Sequence, residues 1–86
     1  MMKIVEVIVG KTYRHFSGNY YRVLFIANDS LTPIGDPLDE VVVYEELFGK
    51  HRIWTRPYNL FCDKVDKDNY PDADQEYRFE LVEDYD

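Results

Sequence analysis

The segment from Tyr13 to Ile26, Tyr-Arg-His-Phe-Ser-Gly-Asn-Tyr-Tyr-Arg-Val-Leu-Phe-Ile, constrains this chain more than any other. Two aromatic-rich runs with strand propensity flank Ser17-Gly18-Asn19, and Gly and Asn are the residues that tolerate the positive φ of a tight turn. The segment therefore reads as a β-hairpin. In its first arm, alternation puts Tyr13 and His15 on one face and Arg14 and Phe16 on the other. In the second arm both alternating sets, Tyr21-Val23-Phe25 and Tyr20-Leu24-Ile26, are mostly apolar. That predicts a twisted strand, or a bulge where the core-facing set changes.

The remaining chain offers more strands. Lys3 to Val9 is rich in β-branched residues and reads as a first strand, part of the fold and too short and alternating for a signal or membrane segment. Asn28 to Asp39 concentrates Asn, Asp, Ser, Pro and Gly and reads as a loop. Glu40 to Phe48, with three consecutive valines, reads as a central strand, and Ile53 to Arg56 as a short one with Trp54 and Arg56 pointing the same way. Pro57 ends that ladder and suits the first turn of a short helix over Pro57 to Phe61. Phe61 to Val65 is open to a return to strand. Asp66 to Glu76 is polar and acidic and reads as a mobile loop, Tyr77 to Val82 as a closing strand, and Glu83 to Asp86 as a frayed end. An all-β fold follows, a small barrel or sandwich of about five to six strands with one helical turn. With 86 residues there is one domain, spanning 1–86.

The formal net charge of −7 is not spread evenly. Residues 1–61 carry seven bases and seven acids, whereas three bases face ten acids from Cys62 onward. The body is neutral and the last third is acidic, so the balance speaks against a phosphate-rich partner only for that last third. Cys62 is the sole cysteine and cannot form an internal disulfide, which favours a reducing cytoplasm. It reads as a buried strand cysteine, without a general base in a local motif.

Several motifs taken together carry a resemblance. Tyr13-Arg14-His15-Phe16, Gly18-Asn19-Tyr20-Tyr21, Val23-Leu24, Val42-Val43-Tyr44, Leu47-Phe48-Gly49, Trp54, Arg56-Pro57 and Phe61 resemble the small bacterial family catalogued as domain of unknown function sixteen fifty-three, over most of Tyr13 to Val65. Tyr77-Arg78-Phe79 is similar to that family's last strand. The resemblance implies an SH3-type barrel and no activity. It accounts neither for the N-terminal extension nor for the acidic Asp66 to Glu76 stretch.

The candidate ligand site is an aromatic and cationic patch of Tyr13, Arg14, His15, Tyr44, Trp54 and Arg56. Trp and Tyr faces hold planar or cationic groups, and Arg forks match carboxylate or phosphate. The competing reading makes Tyr44 and Trp54 ordinary core covered by Arg56. Asp72, Asp74, Glu76 and Glu83 fall in an EF-hand register, but Tyr77 stands where that loop needs glycine, so no metal is expected. The acidic stretch can instead fold against Arg14, Arg22, Arg52 or Arg56. No carboxylate pair, triad or phosphate loop is visible, so no catalytic residue and no cofactor are assigned. A non-enzymatic binding or adaptor module for a peptide, protein or small ligand is the first reading. A single-stranded nucleic-acid or nucleotide binder is the second, and a small enzyme of unknown reaction the third. No membrane partner is expected, and exposed strand edges leave both monomer and homodimer open.

Overall fold

The computed structural model describes residues 6–83. Its secondary structure comprises β1 (Thr12–His15), β2 (Tyr20–Asn28), β3 (Glu40–Glu46), β4 (Ile53–Pro57), a one-turn helix α1 (Tyr58–Phe61) and β5 (Phe79–Val82). All five strands are antiparallel neighbours in one sheet, in the order β4-β3-β2-β1-β5. Residues 6–9 of the expected first strand are not strand, and the rest of that stretch lies outside the described residues. The expected return to strand after Phe61 is a single bridge between Lys64 and Tyr77.

The hairpin forms as its sequence predicts. His15 N–H donates to the Asn19 carbonyl and Gly18 N–H to the His15 carbonyl, each at 2.8 Å, and the turn places Gly18 at φ +108°, where a side chain would be strained. In β2 the register to β3 shifts between Val23 and Phe25. Before the shift Val23 is fully buried. After it Phe25 is 64% exposed, and Ile26 takes over packing against the core. That is the expected bulge, and it lets one strand supply apolar side chains of both parities to a single core.

The core is Val7, Tyr13, Val23, Val42, Tyr44, Phe61 and Phe79. Phe61 from α1 stacks flat on Phe79, with centroids 4.0 Å apart and planes 4° from parallel, and Tyr13 and Tyr44 meet Phe61 edge-on at 5.6 and 5.3 Å. Three inter-strand spacings separate β3 from β5, roughly 14 Å in a flat sheet. Yet the rings of Tyr44 and Phe79 lie 5.5 Å apart, so the sheet curls around this aromatic stack. The curl does not complete the expected barrel. β4 and β5 sit at opposite ends of the order and do not pair, because α1 and the stacked Phe61–Phe79 pair occupy the space between the sheet ends.

Asp66 to Glu76, expected as a mobile loop, is tied down. The Asp66 carboxylate accepts from Asp68 N–H and from the Asn69 amide, Lys67 donates to the Ala73 carbonyl, and Gln75 is 5% exposed. A buried amide makes this loop part of the fold. No helix among the described residues is long and apolar enough to cross a membrane.

Candidate functional site

The strand registers decide which candidate side chains share a face. Tyr44 is the partner of Trp54, and Val42, a fully buried residue, is the partner of Arg56, so Trp54 and Arg56 extend the concave, core-facing side of the sheet to its β4 edge. On β1, Tyr13 and His15 face the same side. Tyr13 is 2% exposed and belongs to the core, its hydroxyl receiving the Ile8 N–H at 2.9 Å. His15 sits at the rim, with its ring 4.9 Å from Phe79 and 6.3 Å from Tyr21. His15, Tyr44, Trp54 and Arg56 thus lie on one concave face, and Tyr13 beneath it.

Arg14 lies on the opposite face. It donates to Gln75 Oε1 and, at 3.1 Å, to Asp74, while the Gln75 amide donates to the Arg14 carbonyl at 3.0 Å and to the Tyr77 carbonyl at 3.1 Å. The acidic loop therefore folds onto Arg14, one of the four basic residues considered for it, and takes it out of the concave patch. Asp74 is committed to Arg14 and Glu76 pairs with Lys64 at 3.5 Å, so the EF-hand register does not converge. Among the described residues no group of three or more His, Cys, Asp or Glu is arranged to hold a metal.

The chemistry of the concave face is cationic with a neutral imidazole between the charges. Ser17 N–H donates to His15 Nδ1 at 3.1 Å, which makes Nδ1 an acceptor and puts the proton of the neutral ring on Nε2. Burial, then the nearby guanidiniums of Arg78 and Arg56, lower the His15 pKa from 6.5 to about 4. The Tyr44 phenol is pushed up by burial, against the opposing pull of Arg56, with which it hydrogen-bonds. Arg56 Nε donates to the Leu60 carbonyl at 3.3 Å, and no carboxylate among the described residues forms an ion pair with Arg56. Trp54 is 45% exposed, and its indole N–H is anchored on Glu46 at 2.8 Å.

Three functional residues escape the sequence reading. Arg78 reaches this corner because β5 pairs with β1, His15 opposite Phe79, and it is held by Asp63 at 2.7 and 3.3 Å and lies 5.8 Å from the Phe16 ring centroid. Glu46 is 5% exposed and accepts from Trp54 and from Arg52 N–H, fixing the indole. Gln75 locks the acidic loop. Cys62 stands at the C-cap of α1 and not on a strand, half-buried, with its thiol pKa raised by burial and then by Asp63.

Two concavities lie elsewhere. One of about 260 Å³ under the β1–β5 edge is floored by Tyr13, Phe79 and Leu81 and rimmed by Glu6, Glu76 and Glu80. Another of about 450 Å³ is lined by Phe16 and Ser17 of the hairpin tip and by Tyr70 and Pro71, with the Phe16 and Tyr70 rings in contact, their centroids 4.9 Å apart. The family model described as "Protein of unknown function (DUF1653)" matches residues 11–81, a span that opens one residue before β1 and ends inside β5. No curated protein matches the chain, and no solved structure does.

Proposed function

The chain belongs to the DUF1653 family, and from that premise we propose that it is a binding or adaptor module that holds an anionic group of a peptide or small ligand on the concave face, between His15, Tyr44, Trp54 and Arg56. The observation that supports this most is the juxtaposition at the β4 edge of an exposed indole with a guanidinium that has no carboxylate partner among the described residues. A guanidinium fork offers paired donors to a carboxylate, and an indole offers area at little entropic cost.

The proposal includes an open relative of the SH3-type barrel of the family resemblance, supported by the curl that brings Tyr44 and Phe79 together without closing the sheet, and a reducing, cytoplasmic setting, supported by the lone half-buried Cys62. It includes no catalytic step.

The test is a backbone-amide NMR titration with acetyl-tyrosyl-glutamate, which carries a ring and a carboxylate. Shifts should cluster at His15, Tyr44, Trp54 and Arg56 and disappear in Arg56→Gln, while Arg14→Gln, on the opposite face, leaves them in place. Shifts spread over Arg14 and the acidic loop would sink the assignment. The exposed indole beside Arg56 also suits base stacking, which is the second reading. Titration with a single-stranded oligouridylate at two salt concentrations separates the two, since phosphate binding weakens steeply with salt.

A further inference from the structure

We propose that the cavity beside the hairpin tip holds the guanidinium of an arginine side chain from a peptide or protein partner, with Tyr70 supplying the ring it lies on and Asp72 the carboxylate it meets. This cavity, of about 450 Å³, is lined by Phe16 and Ser17 of the hairpin and by residues 69–73 of the acidic loop. Tyr70 is 51% exposed, and Asp72 is exposed and forms no ion pair among the described residues.

The chain contains its own template for such recognition next to this cavity. The Arg78 guanidinium carbon lies 5.8 Å from the Phe16 ring centroid while both oxygens of Asp63 hold its nitrogens, at 2.7 and 3.3 Å. Ring and carboxylate grip one planar cation together, the ring through its negative face and the carboxylate through paired hydrogen bonds. Tyr70 adjoins Phe16, its ring centroid 4.9 Å away and its plane tilted by 58°, and Asp72 follows two residues later. Phe16 is already engaged by Arg78 and by the His15 ring at 4.4 Å, so the aromatic surface offered to a ligand is that of Tyr70.

The loop fixes this second ring-and-carboxylate pair before any ligand arrives. The Asn69 and Tyr70 N–H groups donate to the Asp66 carbonyl at 3.2 and 2.9 Å, and Ala73 N–H donates to the Tyr70 carbonyl at 3.1 Å, across a turn with Pro71 in its second position. Little further ordering is needed on binding. The surroundings favour a cation. Residues 66–76 carry five acids and one base; Asp74 is paired with Arg14, Glu76 with Lys64, and Asp66 caps its own loop, whereas Asp72 has no such internal role among the described residues. The one base, Lys67, donates to the Ala73 carbonyl at 2.6 Å, so a wall of the cavity already accepts an ammonium, and the charge of Arg78 is offset by Asp63. Arginine suits better than lysine, because its plane lies flat on a ring and its fork meets both carboxylate oxygens. This goes beyond the ligand reading and does not depend on it: there an anion meets Arg56, here a cation meets Asp72.

A backbone-amide NMR titration with acetyl-arginine methylamide, and with its neutral isostere acetyl-citrulline methylamide, tests the assignment. The arginine probe should shift Phe16, Ser17, Tyr70, Asp72 and Ala73, and the citrulline probe should leave them in place. Asp72→Asn should weaken binding of the arginine probe by about two- to fivefold, as expected for an exposed ion pair. Tyr70→Leu, which keeps an apolar contact for Phe16, should weaken it by about the same factor through loss of the exposed cation–π contact. Both positions are exposed, so neither change threatens the fold. Asp68→Asn, in the same loop but outside the cavity lining, should leave the affinity unchanged, and Arg56→Gln should leave this titration as it is while abolishing that of acetyl-tyrosyl-glutamate. No shifts, or equal shifts from both probes, overturn the proposal. So do shifts centred on Glu76 and Glu80, an Asp72→Asn variant that binds like the wild type, or an equal loss in Asp68→Asn, which would mean diffuse attraction to the acidic loop.

Discussion

At the β1–β5 end of the sheet, Arg14 is met by Asp74 and Gln75, and Arg78 by both oxygens of Asp63, whereas at the β4 end Arg56 gives its Nε to the Leu60 carbonyl and forms no ion pair among the described residues. The chain spends its acidic third on the first end. Gln75 is buried there, Asp74 covers Arg14, and Lys64 holds Glu76. At the other end, Trp54 is fixed by Glu46 but left exposed. Both ends carry similar side chains, but in one the arginine charges are satisfied internally and serve the fold. In the other that of Arg56 remains available to another molecule.

The sharpest way to break this contrast is to remove what connects the two ends. Phe61→Ala deletes the ring that stacks on Phe79 and touches Tyr13 and Tyr44, and should destabilise the protein by about 3–5 kcal/mol in urea denaturation. A loss under about 1 kcal/mol would mean that the stack does not organise the core. Gln75→Ala should cost about 1–3 kcal/mol, because it removes a buried side chain and strips hydrogen bonds from the Arg14 side chain and from the partly buried carbonyls of Arg14 and Tyr77. It should also open the acidic loop to protease, which limited proteolysis will read.

A third outcome concerns acid. The His15 pKa lies at about 4 in the folded protein against 6.5 ordinarily, so between those values the unfolded chain takes up a proton that the folded chain refuses. Stability should therefore fall as pH drops through that window. Melting temperature should decline from pH 6.5 to 5, above the range where most carboxylates titrate, and His15→Gln should flatten the decline; equal slopes would reject this role for the ring. The smallest effect sharpens the contrast. Arg56→Gln should cost no more than about 1 kcal/mol, because the bonds it forfeits, to the Leu60 carbonyl and the Tyr44 hydroxyl, are those of a half-exposed group without an ion-pair partner among the described residues, while abolishing the acetyl-tyrosyl-glutamate shifts.

How much of this was readable in the sequence follows from how local each determinant is. Gly18 and the doubled apolar sets of β2 announce the hairpin and its bulge, since turn chemistry and alternation act over a few residues. The common face of Trp54 and Arg56 is a matter of parity alone. That Arg14 leaves the patch for Gln75 and that Arg78 comes near His15 depend on pairings across about sixty residues of chain, to which no local pattern gives access. The acidic loop misleads because composition predicts solvation, and only the interruption of its charges by Ala73 and Gln75 hints at an anchor. Closure of the sheet was illegible for a related reason: it rests on whether the first and last strands of the order meet, and α1 stands between them.

The register shift at Val23–Phe25 has a further consequence. Leu24 is the extra residue, so deleting it would keep Val23 opposite Tyr44, Phe25 opposite Val43 and Ile26 opposite Val42, a regular ladder with the same side chains turned to the core. The eleven-residue connection that follows, residues 29–39, therefore departs from the same register with or without the supernumerary residue, which makes Leu24 a point where the strand can shorten without turning its core side outward.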